Sequence, residues 1–124
     1  MIKGIGTDII EVSRIGKKVE GNTSFKKKIF TDNEIKYCET YRHKAQNYAV
    51  RFAAKEAFLK AIGTGWSNGL AFDQIEIIND KSGKPELFLN GKASEVTKEM
   101  GIKNIHVSLS HVKEYAIAVV IIED

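Results

Sequence analysis

The 124 residues contain one cysteine, one proline and one tryptophan. A lone Cys38 excludes an intrachain disulfide and suits a reducing compartment. It stands in Tyr37-Cys38-Glu39, with no neighbouring histidine or cationic helix start to lower its pKa, so a structural role is expected. No stretch approaches the ~20 apolar residues of a membrane helix. Asp8 and Glu11 interrupt the short N-terminal apolar run, so a signal-peptide plan is missing too. A cytoplasmic protein without a membrane partner is expected. No cluster of His and Cys has metal-ligand spacing, which argues against zinc. Gly4-x-Gly6 and Gly63-x-Gly65 complete neither a P-loop nor a dinucleotide fingerprint, and no Gly-x-Ser-x-Gly elbow occurs. Linkers, low-complexity tracts and internal repeats are all lacking.

What is present suffices for one domain spanning residues 1–124. Hydrophobic residues make up 43% of the chain, enough for a core. The net charge of +3 is mild, and no nucleic-acid partner is expected. The basic residues cluster early, in Arg14, Lys17, Lys18, Lys26, Lys27 and Lys28. That asymmetry could serve an acidic partner or a phosphate-rich ligand, although charge alone favours a solvated face.

The pattern of elements is α+β: an antiparallel sheet packed against a long central helix. Residues 2–10 mix β-branched residues with glycines, which predicts a strand that another backbone can approach closely. A short helix over 11–20 would put Val12, Ile15 and Val19 on one side. Thr31 and Glu34 form a capping box that opens a second helix. The long helix runs from about His43 to Ile62 and is stopped by Gly63-Thr64-Gly65. Residues 72–78 and 86–89 read as a hairpin around Asn79–Lys84, with Pro85 leading into its second strand. A helix over 91–100 follows, with Ala93, Val96 and Met100 inward. In the strand after it, Ile105, Val107 and Leu109 alternate with His106, Ser108 and Ser110. The nearly all-apolar run from Tyr115 to Ile122 reads as a central strand.

The long helix holds the main puzzle. It is apolar around most of its circumference, yet carries Arg51, Lys55, Glu56 and Lys60. Buried charges are costly unless paired or bound. At about 100° per residue, Glu56 and Lys60 share one face while Arg51 and Lys55 lie on another. An ordinary i,i+4 salt bridge would explain Glu56 and Lys60 on an exposed helix, but this helix is alanine-rich and apolar. Asp8, at the end of the first strand, reads either as a helix N-cap or as a second carboxylate for the same site. Two carboxylates suit Mg²⁺, which commonly takes one or two of them plus substrate phosphates. Lys60 could then meet those phosphates or stabilise a leaving group. Ser110 and His111 are adjacent on a strand and point to opposite faces, which argues against a nucleophile–base pair.

Three blocks carry a family resemblance: Gly4-Ile5-Gly6-Thr7-Asp8-Ile9-Ile10-Glu11, Arg51-Phe52-Ala53-Ala54-Lys55-Glu56-Ala57-Phe58-Leu59-Lys60-Ala61, and Val107-Ser108-Leu109-Ser110-His111. In this order and spacing the chain resembles, over essentially its whole length, the holo-acyl-carrier-protein synthases, the small 4′-phosphopantetheinyl transferases. The resemblance implies transfer of the phosphopantetheine arm of coenzyme A to a serine of an acyl carrier protein, with release of adenosine 3′,5′-bisphosphate. It implies Asp8 and Glu56 as Mg²⁺ ligands and Lys60 beside the pyrophosphate, with Glu56 or a water as the base. Arg51, His111 and Lys44 are implied at the nucleotide end of coenzyme A. Arg14, reinforced by Lys17 and Lys18, is implied in docking the acidic carrier protein. A homotrimer with sites at subunit contacts is implied as well. A small thioesterase acting without Mg²⁺ and a non-catalytic coenzyme A-binding module are the alternatives. Neither explains Asp8, Glu56 and Lys60 together.

Overall fold

The computed structural model describes residues 1–65 and 69–124. Its elements in chain order are β1 (Ile2–Glu11), α1 (Val12–Gly21), α2 (Thr23–Ile29), α3 (Asp32–Glu39), α4 (Lys44–Ile62), a 3-10 turn (Phe72–Gln74), β2 (Ile75–Asn79), β3 (Pro85–Leu89), α5 (Gly91–Glu99), β4 (Asn104–His111) and β5 (Tyr115–Glu123). The two ends of the chain meet, because β1 pairs antiparallel with β5. β4 pairs with the other edge of β5, giving the order β1-β5-β4. The apolar run of β5 is therefore central, as its composition predicts. Ala116, Ala118, Val120 and Ile122 form its buried face, which packs on α4.

Three details depart from the sequence reading. The β2–β3 hairpin forms a two-stranded sheet of its own rather than joining the main sheet. Residues 72–74, expected to begin a strand, form the 3-10 turn. The short helix α2 was not anticipated. Its N-terminus is held by Asn22, whose side chain accepts from the Phe25 N–H. Only Phe25 and Ile29 give α2 an inward side, too little periodicity to find among three lysines.

Helix α4 is buried along most of its length, as its alanine-rich circumference requires. Gly63 closes it at φ 77°, with its N–H donating to the Leu59 carbonyl. Small residues let β1 lie directly on this helix. A Cβ added to Gly6 would overlap the Ala57 carbonyl oxygen and stand 2.7 Å from the Ala61 nitrogen. Gly4 meets the Ala61 carbonyl in the same way. Both obstacles are backbone atoms, which cannot rotate aside. Gly6→Ala is accordingly expected to cost at least the ~1–3 kcal/mol typical of overpacking. Urea denaturation would show it, and a loss below ~0.5 kcal/mol would contradict so close an approach.

Candidate active site

The close packing of β1 on α4 builds the site. Side chains alternate across a strand, so Asp8, two residues after Gly6, is placed on the face that looks toward α4. It sits within β1, opposite Ala118, because the strand continues to Glu11. The N-cap reading of Asp8 therefore fails. Glu11 occupies the N-cap of α1 and makes no side-chain capping bond. The Asp8 carboxylate is largely covered, at 17% exposure.

Lys60 reaches Asp8 from the last turn of α4. Its Nζ lies 3.2 Å from Asp8 Oδ1 and 3.0 Å from the Thr7 carbonyl oxygen. Glu56, one turn earlier, is partly buried. Burial pushes the Glu56 carboxyl above its usual range, the Asp8 charge pushes it further, and Lys60 opposes both. That electrostatic coupling marks one cluster of two carboxylates and an ammonium, contributed by residues 52 positions apart in sequence. Glu56 also joins two recesses. A cleft of about 450 Å³ is lined by Asp8, Glu11, Arg14, Lys18, Phe52 and Glu56. A smaller recess of about 260 Å³ adjoins Glu56, Leu59, Lys60, Gly63 and Gly65. The i,i+4 relation of Glu56 and Lys60 is thus more than an isolated surface salt bridge, since Lys60 forms its ion pair with Asp8.

Among the described residues no three His, Cys, Asp or Glu side chains form a metal cage. The donor set is instead two neighbouring carboxylates at a cleft. Hard oxygen donors of that number fit Mg²⁺, which takes its remaining ligands from water and phosphate. The repulsion that raises the Glu56 pKa is what a divalent cation between the two groups would relieve.

Arg14 and Lys18 line the larger cleft on the α1 side, and Lys17 is exposed beside them on the same helix. Lys44 lies at the start of α4, half-buried, with Nζ 3.2 Å from Glu39 Oε1. It shares a recess of about 270 Å³ with Arg42, His43 and Lys113. Those three basic residues escaped the sequence reading. Only their convergence in space groups Lys113 with residues about 70 positions earlier. Glu39 is the local counter-charge. It accepts from Tyr48 Oη at 2.6 Å, and this bond, with Lys44 and Lys26, lowers its pKa to about 2. His111 ends β4, opposite Ala116 of β5, and is exposed.

Arg51 is placed differently. It is 2% exposed and lines neither recess beside Glu56. Its guanidinium lies over the Tyr37 ring at 4.3 Å, and Nη2 donates to Asn79 Oδ1 at 2.6 Å. Its Nε is buried without a hydrogen-bond partner among the described residues. In the single chain Arg51 joins α3, α4 and the end of β2, and is not gathered with Asp8, Glu56 and Lys60. Lys55 also turns away from the site, into the core. Cys38 is buried, and its thiol is pushed up to about 12 by that burial, which agrees with a structural residue.

The chain as a whole is similar to known proteins of one family. The family model of the 4′-phosphopantetheinyl transferase superfamily matches residues 4–120. The holo-[acyl-carrier-protein] synthase of Geotalea daltonii is 48% identical over 124 residues, covering 99% of each chain. The crystal structure of holo-[acyl-carrier-protein] synthase from Neisseria meningitidis superposes with a TM-score of 0.89 at 38% identity, over 100% of both chains. The Helicobacter pylori holo-[acyl-carrier-protein] synthase, solved in complex with coenzyme A, matches with a TM-score of 0.84 at 32% identity, over 96% of this chain and 99% of that one. The chain therefore belongs to the 4′-phosphopantetheinyl transferase superfamily, among the holo-[acyl-carrier-protein] synthases, and is an enzyme of that family.

Proposed function

We propose that this chain, as a single transferase domain of residues 1–124, moves the 4′-phosphopantetheine group of coenzyme A to a serine of an apo-acyl carrier protein. The reaction requires Mg²⁺, releases adenosine 3′,5′-bisphosphate and serves fatty acid biosynthesis. The observation that carries this reading is the Asp8–Lys60 ion pair beside Glu56 at a cleft. It occurs in a chain whose relatives are named for the activity and one of which was solved with coenzyme A.

Asp8 and Glu56 would hold the Mg²⁺. Bound there, the ion would offset charge on the pyrophosphate as the phosphoryl group transfers. The carrier serine oxygen attacks the phosphorus next to the pantetheine, and the bond from that phosphorus to the oxygen of the departing nucleotide phosphate breaks. The serine proton needs an acceptor. Glu56, which lines the cleft, or a water there would take it. Lys60 stands one helical turn away and can neutralise the charge gained by the leaving phosphate.

Arg14 lines the cleft beside Asp8 and Glu56, where an acidic carrier protein would bring its serine. Lys17 and Lys18 extend the same positive face. Lys44, with Arg42, His43 and Lys113, offers a basic recess for the nucleotide end of coenzyme A. Arg51 and His111 would complete it from a neighbouring subunit or after rearrangement. A homotrimer accounts for the outer face of the β1-β5-β4 sheet, where Ile5 and Ile9 are each 65% exposed and Ile117 is 38% exposed. An apolar sheet face of this kind fits burial against another copy.

The direct test is mass spectrometry of an apo-carrier protein incubated with the enzyme and coenzyme A. With Mg²⁺ the carrier gains a phosphopantetheine, and with EDTA it does not. A folded enzyme that labels no carrier would refute the proposal, and EDTA-resistant thioester hydrolysis would favour a thioesterase. Arg14→Glu is expected to raise the carrier KM by roughly ten-fold, with little change in the KM for coenzyme A. An unchanged carrier KM would remove Arg14 from the docking face.

A further inference from the structure

Lys60 covers Asp8, one of the two carboxylates assigned to the cation. Its ammonium is bonded to Asp8 Oδ1 at 3.2 Å and to the Thr7 carbonyl at 3.0 Å. The Lys60 side chain is 56% exposed while the carboxylate it covers is 17% exposed. The lysine therefore reaches in from solvent over the carboxylate, held at two points on β1. Both contacts are made by a long, flexible stem that can swing away without disturbing α4. The second carboxylate, Glu56, lies on the same helical face one turn back.

We infer that Lys60 is the resident counter-ion of the Asp8–Glu56 pair in the free enzyme and competes with the divalent cation for Asp8. This rests on the assignment of Asp8 and Glu56 as cation ligands. An unpaired Asp8 beside Glu56 would repel it, and the lysine limits that repulsion until substrate arrives. Arrival of a cation between the carboxylates displaces the ammonium. The freed ammonium then lies near the recess formed by Leu59, Lys60, Gly63 and Gly65, where a phosphate can take it up. The same side chain thus guards the empty site and serves the filled one. It follows that the enzyme binds Mg²⁺ more weakly alone than its carboxylates would allow, and that phosphate-bearing substrate, by engaging Lys60, restores the difference.

Calorimetric titration of Mg²⁺ into the free enzyme tests this. Lys60→Met is expected to bind Mg²⁺ roughly two- to five-fold more tightly than the unmodified chain, the range of a partly exposed ion pair. Lys18→Met removes a second cation from the same cleft without touching Asp8, and should leave the affinity within error. In the transfer assay at saturating coenzyme A, Lys60→Met should lower kcat but leave the Mg²⁺ concentration for half-maximal rate unchanged, because bound substrate has already drawn the lysine off Asp8. Weaker or unchanged Mg²⁺ affinity in Lys60→Met overturns the inference, as does an equal gain in Lys18→Met. If Mg²⁺-dependent transfer persists in that case, the cation assignment stands and only the counter-ion role falls. If no protein binds Mg²⁺ with or without coenzyme A, the cation assignment itself falls.

Discussion

Lys55→Met is expected to destabilise the protein by about 3–5 kcal/mol, the cost of breaking a buried ion pair by removing one partner. Lys55 and Glu34 are both fully buried, with Nζ 2.6 Å from Glu34 Oε1. The ammonium also donates to the backbone carbonyls of Ile29 and Phe72 at 3.0 Å and of Ile75 at 2.6 Å. Glu34 in turn accepts from the backbone N–H of Thr31 and of Ile77, each at 3.0 Å. Burial pulls the Lys55 pKa down and the Glu34 charge pushes it up. Four acceptors, one of them a carboxylate, surround a single nitrogen. A neutral amine has only two N–H donors, so the site calls for the charged form. Methionine fills the space but leaves a buried carboxylate without its counter-charge and removes one donor from three backbone carbonyls.

Total stability in a domain of this size is about 5–15 kcal/mol, so the loss is a large share of it. Guanidinium denaturation should show a lower midpoint with an unchanged slope. Adding Glu34→Gln should recover part of the loss, because it removes the stranded charge. A loss under ~1 kcal/mol for Lys55→Met would mean that the network is slack. The consequence reaches function. The pair ties α4 to the end of α2, the start of α3, the 3-10 turn and β2, and so fixes the helix that presents Glu56 and Lys60.

Much of this was legible locally. Thr31 and Glu34 announce a capping box, and both of its bonds are present. Gly4 and Gly6 predict close backbone approach, and α4 supplies the backbone. What the sequence could not show is double use. Glu34 caps α3 with one carboxylate oxygen and also receives Lys55 from 21 residues away. No local pattern contains that distance, so Lys55 appears in the sequence as a charge without a partner. Arg51 shows the opposite case. Its motif position points to a ligand, but its bonds in the single chain go to Asn79 and to the Tyr37 ring. Separation of the hairpin from the main sheet was equally invisible, because strand periodicity records which face is buried and not which strand is the neighbour.

Glu56→Gln is expected to reduce transfer by on the order of a thousand-fold or more, about 4 kcal/mol in the barrier, since it removes a cation ligand and the candidate base together. The same change should leave the fold at least as stable near neutral pH. The pKa of Glu56 is raised in the folded chain, by burial first and by Asp8 second. The folded state therefore holds this proton more tightly than the unfolded state. Stability must then fall as pH rises from the unfolded-state pKa through the folded-state value. Above that window the ionised carboxylate weighs against folding, although Lys60 offsets part of the effect. Glutamine keeps the shape and carries no charge, so this pH-dependent loss should vanish in the variant. Denaturation at about pH 4 and pH 7 would measure the difference, and the carrier-labelling assay would measure the activity. A variant that loses stability and activity together would mark Glu56 as a structural residue. Lost activity with a fold as strong as before means that the chain maintains an ionised carboxylate its own stability does not need, and only the chemistry at the cleft gives it a reason to be there.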